Sequence, residues 1–241
     1  MNAKDRAVEI QRKYYAQTAQ NYDNLHQNDP EHQLALYLMA AYIKYYGIKS
    51  VLDVGAGTGD SILWLKQHFP ELKVTGIEPV SELREQGYKK GLSKSELLEG
   101  DVYQLSFEPN SFDLVCEFAV LHHVENPDIA VQEMSKIARK MICISDSNFL
   151  GQGTLLNRWI KLLLFVSGLW SLANWLKTGG KGYYISEEDG LAYSYSVFQN
   201  FPYLQKKWET VRYMTTKGED LKYSSLLTAD HLMLIGINKK H

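Results

Sequence analysis

The chain has 241 residues, 45% of them hydrophobic and 22% charged, a balance that excludes a disordered or fibrous protein and suits one α/β domain with an elaboration. A formal net charge of −2, with no long run of Lys or Arg, argues against nucleic acid as a partner. Cys116 and Cys143 each lie in a short apolar run and read as buried thiols, and the polar first residues lack an apolar export signal, so a cytoplasmic protein is expected.

In chain order, residues 4–20 and 31–46 read as helices, with Pro30 opening the second and Gly47 closing it. From residue 50 the pattern alternates: a strand over 50–54, a helix over 60–69, a strand over 72–78, a helix over 81–90 and a short strand over 95–100. A strand over 112–118, a helix over 127–140 and a strand over 141–146 complete the series. Strands that alternate with helices require right-handed crossovers, which gives a doubly wound, mostly parallel sheet. After residue 147 the rhythm changes to a long apolar helix over 159–178, a Gly/Tyr-rich loop and a helix opened by Ser186. Two late strands, 206–216 and 231–239, read as an antiparallel edge pair, so the expected fold is α/β and Rossmann-like, with seven strands. On this reading one domain divides into a helical N-terminal cover (1–47), a core (48–147), a lid insertion (148–205) and edge strands (206–241).

The turn after the first strand, VGAGTGD over 54–60, holds glycines at 55, 57 and 59. In a doubly wound sheet a ligand sits beyond the carboxyl ends of the strands, where their order reverses. Gly55 and Gly57 permit close approach of backbone to a nucleotide-like ligand, and Glu78, ending the second strand, can accept hydrogen bonds from both ribose hydroxyls. Asp60 stands where a dinucleotide fingerprint needs Gly or Ala. Asp53, two residues before the first glycine, repels a pyrophosphate and suits a ligand that carries an ammonium group.

These residues, with further motifs in order over about residues 14–147, resemble the class I S-adenosylmethionine-dependent methyltransferases, in particular their small-molecule, type 11 group. The resemblance implies that Asp53, Gly55, Ala56 and Gly57 surround the methionine part of S-adenosylmethionine, and that Glu78 holds the ribose with Pro79 beside the adenine. In EGDVYQL it implies that Asp101 receives the adenine amino group while Val102 flanks the ring. FDLVCEFAVLHHVENP then brings Glu117 and Phe118 to the methionine end, and Tyr22, in YYAQTAQNYDN, becomes a cofactor contact. S-adenosylhomocysteine is the implied product.

Methyl transfer from a sulfonium is an in-line displacement that depends mainly on alignment and needs no metal, but a hydroxyl acceptor usually needs a base. His123 is the first candidate base, His122 belongs nearer the cofactor wall, and Asp146 is placed to orient substrate. Tyr183, Tyr184, Tyr193 and Tyr195, joined by Tyr14 from the N-terminal cover, are expected to form an aromatic acceptor pocket. The apolar stretch 159–177, with Trp159, Trp170 and Trp175, is interrupted by Lys161 and Asn174. It leaves three uses open: a packed lid helix, a subunit contact in a homodimer rather than a monomer, and peripheral membrane attachment. The expected activity is methylation of a small organic molecule in a biosynthetic pathway, at oxygen before nitrogen or carbon. RNA or protein methylation and non-catalytic cofactor binding are the alternatives.

Overall fold

The computed structural model describes residues 3–26, 29–187, 189–218 and 224–238. The N-terminal cover holds α1 (Ala3–Thr18), α2 (Tyr22–His26) and α3 (Pro30–Tyr46). The core then runs β1 (Ser50–Val54), α4 (Asp60–His68), β2 (Lys73–Ile77), α5 (Ser81–Lys89), β3 (Leu97–Leu98), β4 (Phe112–Phe118), α6 (Pro127–Ile137) and β5 (Ala138–Ser147). Beyond it come α7 (Leu155–Val166), α8 (Trp170–Lys177), the hairpin of β6 (Tyr183–Ser186) and β7 (Gly190–Tyr193), α9 (Phe201–Lys207), β8 (Thr210–Gly218), α10 (Ser225–Thr228) and β9 (Ala229–Ile237).

Seven strands form one sheet in the order β3-β2-β1-β4-β5-β9-β8. The first five are parallel, and β9 runs antiparallel to both β5 and β8. The chain leaves β1 toward β2 and β3, then returns to lay β4 on the other side of β1, so the strand order reverses at the end of β1. Continuous apolar runs suit a sheet covered on both faces. Leu52, Val115, Ile142 and Leu234 join a cluster with α6 and α9, while Val51, Leu114, Cys143 and Ile235 join another with α3 and α4. Both cysteines are buried free thiols.

Four expected elements are corrected. The helix expected over 127–140 stops at Ile137, because Ala138 pairs with Phe112 and Arg139 with Asp113, so the sheet captures the segment. The long helix over 159–178 is two helices, because Gly168, in the left-handed region at φ +75, reverses the chain after Val166. Ser186 opens no helix: its hydroxyl accepts from Asp189 N at 3.0 Å and closes the turn between β6 and β7. Finally, Lys206 and Lys207 belong to α9, so the first edge strand begins at Thr210; Lys239, at the end of the second, lies outside the described residues.

Candidate active site

The glycine turn leaves β1 and is tied to the end of β2, where Gly55 N and Ala56 N both donate to Ile77 O at 2.9 Å. Gly55 and Gly57 have φ of +77 and +55. A Cβ on Gly55 would strike the Val120 side chain, and one on Gly57 would lie 3.3 Å from the Tyr22 ring, so the turn must stay bare. Glu78 faces this turn: its carboxylate accepts from Gly57 N at 3.1 Å and Val80 N at 2.9 Å. Burial nevertheless pushes that carboxyl up to about 7. Asp53, buried at the end of β1, accepts from the Ser61 hydroxyl, and burial pushes it up to about 6. Neither carboxylate has a cationic side chain within ion-pair distance among the described residues.

The cleft has two halves that share Tyr15, Gly55, Phe118 and Ala119. One is a cavity of about 150 Å³ walled by Ile77, Pro79, Val102 and Val120, with Glu78 and Asp101 at its polar edges and α1 over it. Asp101 accepts from Tyr103 N at 2.9 Å and pairs with Arg12 of α1 at 3.1 Å. The other half, about 430 Å³, is lined by Tyr22, Asp53, Ala56, Ser61 and Trp64.

Beside the join lie the two histidines, in a short turn after β4. His122 is clamped between carboxylates: Nδ1 lies 2.7 Å from Asp146 Oδ1 and Nε2 lies 3.0 Å from Asp189 Oδ2. Burial opposes its charge, but the two acids outweigh burial, and the His122 pKa stands well above the usual histidine value. His122 is therefore an imidazolium with both N–H groups occupied. His123 is its opposite. Burial and the neighbouring His122 cation lower its pKa, so its ring is neutral. Its Nδ1 lies 2.6 Å from Leu191 O, a distance that requires the proton on Nδ1, so Nε2 accepts from the Tyr15 hydroxyl at 2.8 Å, with Asp189 Oδ1 3.4 Å from the same nitrogen.

Of the expected cofactor residues, Gly55, Glu78, Pro79, Asp101, Val102 and Phe118 line the first half, and Tyr22, Asp53 and Ala56 the second, with Gly57 between Glu78 and Tyr22. Glu117 lies instead inside the sheet, its carboxylate accepting from Ser145 N and Val120 N, each at 2.9 Å. There it braces the turn at Ala119, whose φ of +56 puts a non-glycine residue in the left-handed region. Asp146 is fully buried behind His122, accepting from the ring Nδ1 and from the His122 and Ser147 backbone amides, so it positions a histidine and does not reach the cleft.

Of the five expected acceptor tyrosines, Tyr193 lines the first half and the other four line neither. Tyr195 is a core residue, its hydroxyl donating to Asn200 Oδ1 at 2.6 Å. Tyr14 donates to Glu187 O at 3.0 Å, Tyr183 packs edge-on to Tyr193, and Tyr184 is half exposed on the hairpin. Beside Tyr193 and the expected cofactor contact Tyr22, the cleft is lined by Tyr15, Tyr37 and Tyr103.

Three residues of the site were absent from the sequence reading: Gln11, Tyr15 and Asp189. Gln11 and Tyr15, four apart on α1, share a helix face, and Asp189-Gly190 after YYIS is a hairpin signal. Gln11 bolts α1 to the hairpin, its Oε1 accepting from Leu191 N at 2.5 Å and its Nε2 donating to Asp189 O at 3.3 Å. Gly190 sits at φ +69, and a Cβ there would lie 2.7 Å from both Gln11 Oε1 and Tyr14 Cδ1. Gly190→Ala should therefore destabilise the protein by about 1–3 kcal/mol and raise hydrogen exchange in both α1 and the hairpin, as read by thermal melting and exchange mass spectrometry. Unchanged exchange in α1 would refute the bolt.

Residues 52–141 match the family model described as "Methyltransferase domain". An uncharacterised methyltransferase of Schizosaccharomyces pombe is 30% identical over 113 residues, which are 42% of this chain and 40% of that protein. The demethylmenaquinone methyltransferase of Staphylococcus aureus is 35% identical over 102 residues, 40% of this chain and 42% of that protein. These alignments thus span about two fifths of the curated relatives. The fold extends further: the structure of magnesium protoporphyrin IX methyltransferase from Synechocystis, with bound S-adenosylhomocysteine, superposes with a TM-score of 0.61 at 16% identity, covering 95% of this chain and 99% of that one. Residues 52–141, which carry the bare glycine turn and both buried carboxylates, thus match a methyltransferase domain.

Proposed function

We propose that the chain transfers the methyl group of S-adenosylmethionine to a hydroxyl of a small, partly apolar organic molecule in a biosynthetic pathway. The residues fit the cofactor. Asp53 and Glu78 are buried carboxylates without a cationic partner among the described residues, as an ammonium group and a ribose diol require, and the slot between Glu78 and Asp101 is narrow and apolar, as an adenine ring requires. When bound, the cofactor supplies an electrophilic methyl group.

The observation that carries the choice of a hydroxyl is the pair of Tyr15 and His123. Tyr15 borders both halves of the cleft, its hydroxyl donates to a neutral imidazole nitrogen, and burial pushes its own pKa well up, so it stays a phenol. An acceptor hydroxyl that donates to Tyr15 Oη can lose its proton as the tyrosine proton moves to His123 Nε2. Asp146 and Asp189 hold His122 charged, and burial together with that charge lowers the His123 pKa below the usual histidine value, against the pull of Asp189. The relative named for demethylmenaquinone supports a small acceptor with ring character.

Calorimetry with S-adenosylmethionine, S-adenosylhomocysteine and, in parallel, NAD tests the cofactor: micromolar binding of the first two alone is expected. Binding of NAD alone would overturn the assignment. Screening of hydroxylated acceptors for a gain of one methyl mass then tests the reaction. Tyr15→Phe and His123→Ala should each lower kcat by about 10²–10⁴ while cofactor affinity stays within about twofold, and the acid limb of the rate profile should lie below about pH 6.5. Equal kcat in both variants would exclude the base.

A further inference from the structure

The helices α7 and α8 line neither half of the cleft, and neither buries a residue fully. They grip the body by one side. Phe149 receives the Phe165 edge and stacks on Trp170 with centroids 4.6 Å apart, while Asn174 Nδ2 donates to Gly182 O at 3.0 Å and Thr178 Oγ1 accepts from Gly182 N at 2.8 Å. The opposite side is apolar and in water. On α7 the residues Leu156, Trp159, Ile160, Leu163 and Val166 recur at spacings of three and one, which places them on one helical face. On α8, Leu172, Trp175 and Leu176 are likewise more than half exposed, and the adjoining hairpin adds Ile185. Exposed apolar side chains in this number on two neighbouring helices mark a docking surface.

Charge selects the occupant. Residues 147–186 contain Arg158, Lys161, Lys177 and Lys181 and no Asp or Glu, in a chain whose net charge is −2. None of these four cations pairs with a carboxylate among the described residues; Arg158 and Lys161 bond backbone carbonyls. A second copy of α7 and α8 would set like charges against each other, the nearest acid that follows in the chain being Glu187 at the tip of the hairpin. Anionic headgroups do answer them. Two of the five tryptophans, Trp159 and Trp175, are also exposed in this segment, and Trp favours the boundary between headgroup and acyl chain. Among the described residues no helix is long and apolar enough to cross a membrane, so α7, of 12 residues, and α8, of 8, can only lie along the surface.

We propose that the exposed face of α7 and α8 docks this protein on the surface of an anionic lipid bilayer, with Leu156, Leu163, Leu172 and Trp175 in the headgroup–acyl boundary and Lys177 and Lys181 on the headgroups. This surface is independent of the assigned reaction.

The test is flotation of the full chain with vesicles of phosphatidylcholine alone and of an equal mixture of phosphatidylcholine and phosphatidylglycerol. Binding to the mixture should exceed that to phosphatidylcholine by about tenfold or more, weaken with salt, and shift tryptophan emission to the blue. The double variant Leu163→Glu/Leu172→Glu changes only exposed side chains and should lose about tenfold or more in binding with its melting temperature and cofactor affinity unchanged. Lys177→Glu/Lys181→Glu should reduce binding to the mixture alone. Absence of wild-type binding, or binding that survives Leu163→Glu/Leu172→Glu, overturns the proposal. So does a wild-type dimer in light scattering that this variant converts to monomer without any vesicle binding, which gives the face to a second copy. No cofactor or acceptor enters the measurement, so its outcome is separate from that of the methyl-transfer assay.

Discussion

Affinity for S-adenosylmethionine is expected to rise about a hundredfold between about pH 5 and pH 7, with release of protons on binding. The cause is the two carboxyls of the glycine turn, pushed by burial up to about 6 for Asp53 and about 7 for Glu78 in the ligand-free protein. Both folded values lie above the unfolded ones. Each group's contribution to stability is therefore fully present below the ordinary carboxylate pKa and is lost as pH rises through 6 and 7. A ligand that brings an ammonium group and ribose hydroxyls prefers both acids ionised, so below these values binding must expel protons, at up to tenfold in affinity per pH unit per group. Calorimetry in two buffers of different ionisation enthalpy counts the protons directly. Glu78→Gln, which keeps one carbonyl acceptor, should remove most of the pH dependence; Glu78→Ala should weaken binding about a hundredfold near neutral pH, because the Gly57 and Val80 amides also lose their acceptor. Binding that releases no proton at pH 5.5 or so would sink this account.

Asp146→Ala should destabilise the protein by about 3–5 kcal/mol, more than any change on the exposed helices. It leaves the His122 imidazolium buried with only Asp189, at the surface, as counter-ion, and strips the His122 and Ser147 backbone amides of their acceptor. The sign with pH follows from both partners. Asp146 is held down to about 2, against burial, by His122, so its contribution is present above the ordinary carboxylate value and lost as pH falls to about 2. The His122 pKa is raised, so its contribution is present below about 6.5 and lost as pH rises through the folded value. The difference between wild type and Asp146→Ala should thus be greatest between about pH 4 and 6.5 and shrink in alkali, as read by urea unfolding across that range. A difference below about 1 kcal/mol at pH 5.5 or so would show that the clamp does not hold the charge.

The core was legible because its information is local. Five apolar strands alternate with helices, and Asp53, the glycines, Glu78, Asp101 and Val102 lie at or shortly after a strand end, where a doubly wound sheet puts its ligand. The acceptor side was not. Gln11 meets Asp189 across 178 positions of sequence, and no period in α1 announces which hairpin it will hold. The pattern SEEDG imitates a helix start, but YYIS before it finds a partner in GLAY, and strand pairing overrides the cap. Asp146 looked like a rim acid because it ends a strand, yet antiparallel β9 pairs beside it, with Asp146 opposite Leu232, and closes that rim. Tyr195 was drawn into the core by Asn200, a partner five residues on that spacing alone does not reveal.

Glu78 has a further consequence in the ligand-free state. Its two oxygens are already engaged by Gly57 N and Val80 N, and Arg84 donates to its carbonyl at 2.6 Å, so the carboxylate is locked in one rotamer before any ribose arrives. Such a group loses little side-chain freedom on association. The nucleoside half of the cleft is thus preorganised, and tuning of cofactor affinity should come mainly from how long the complex lasts, with capture speed left nearly constant.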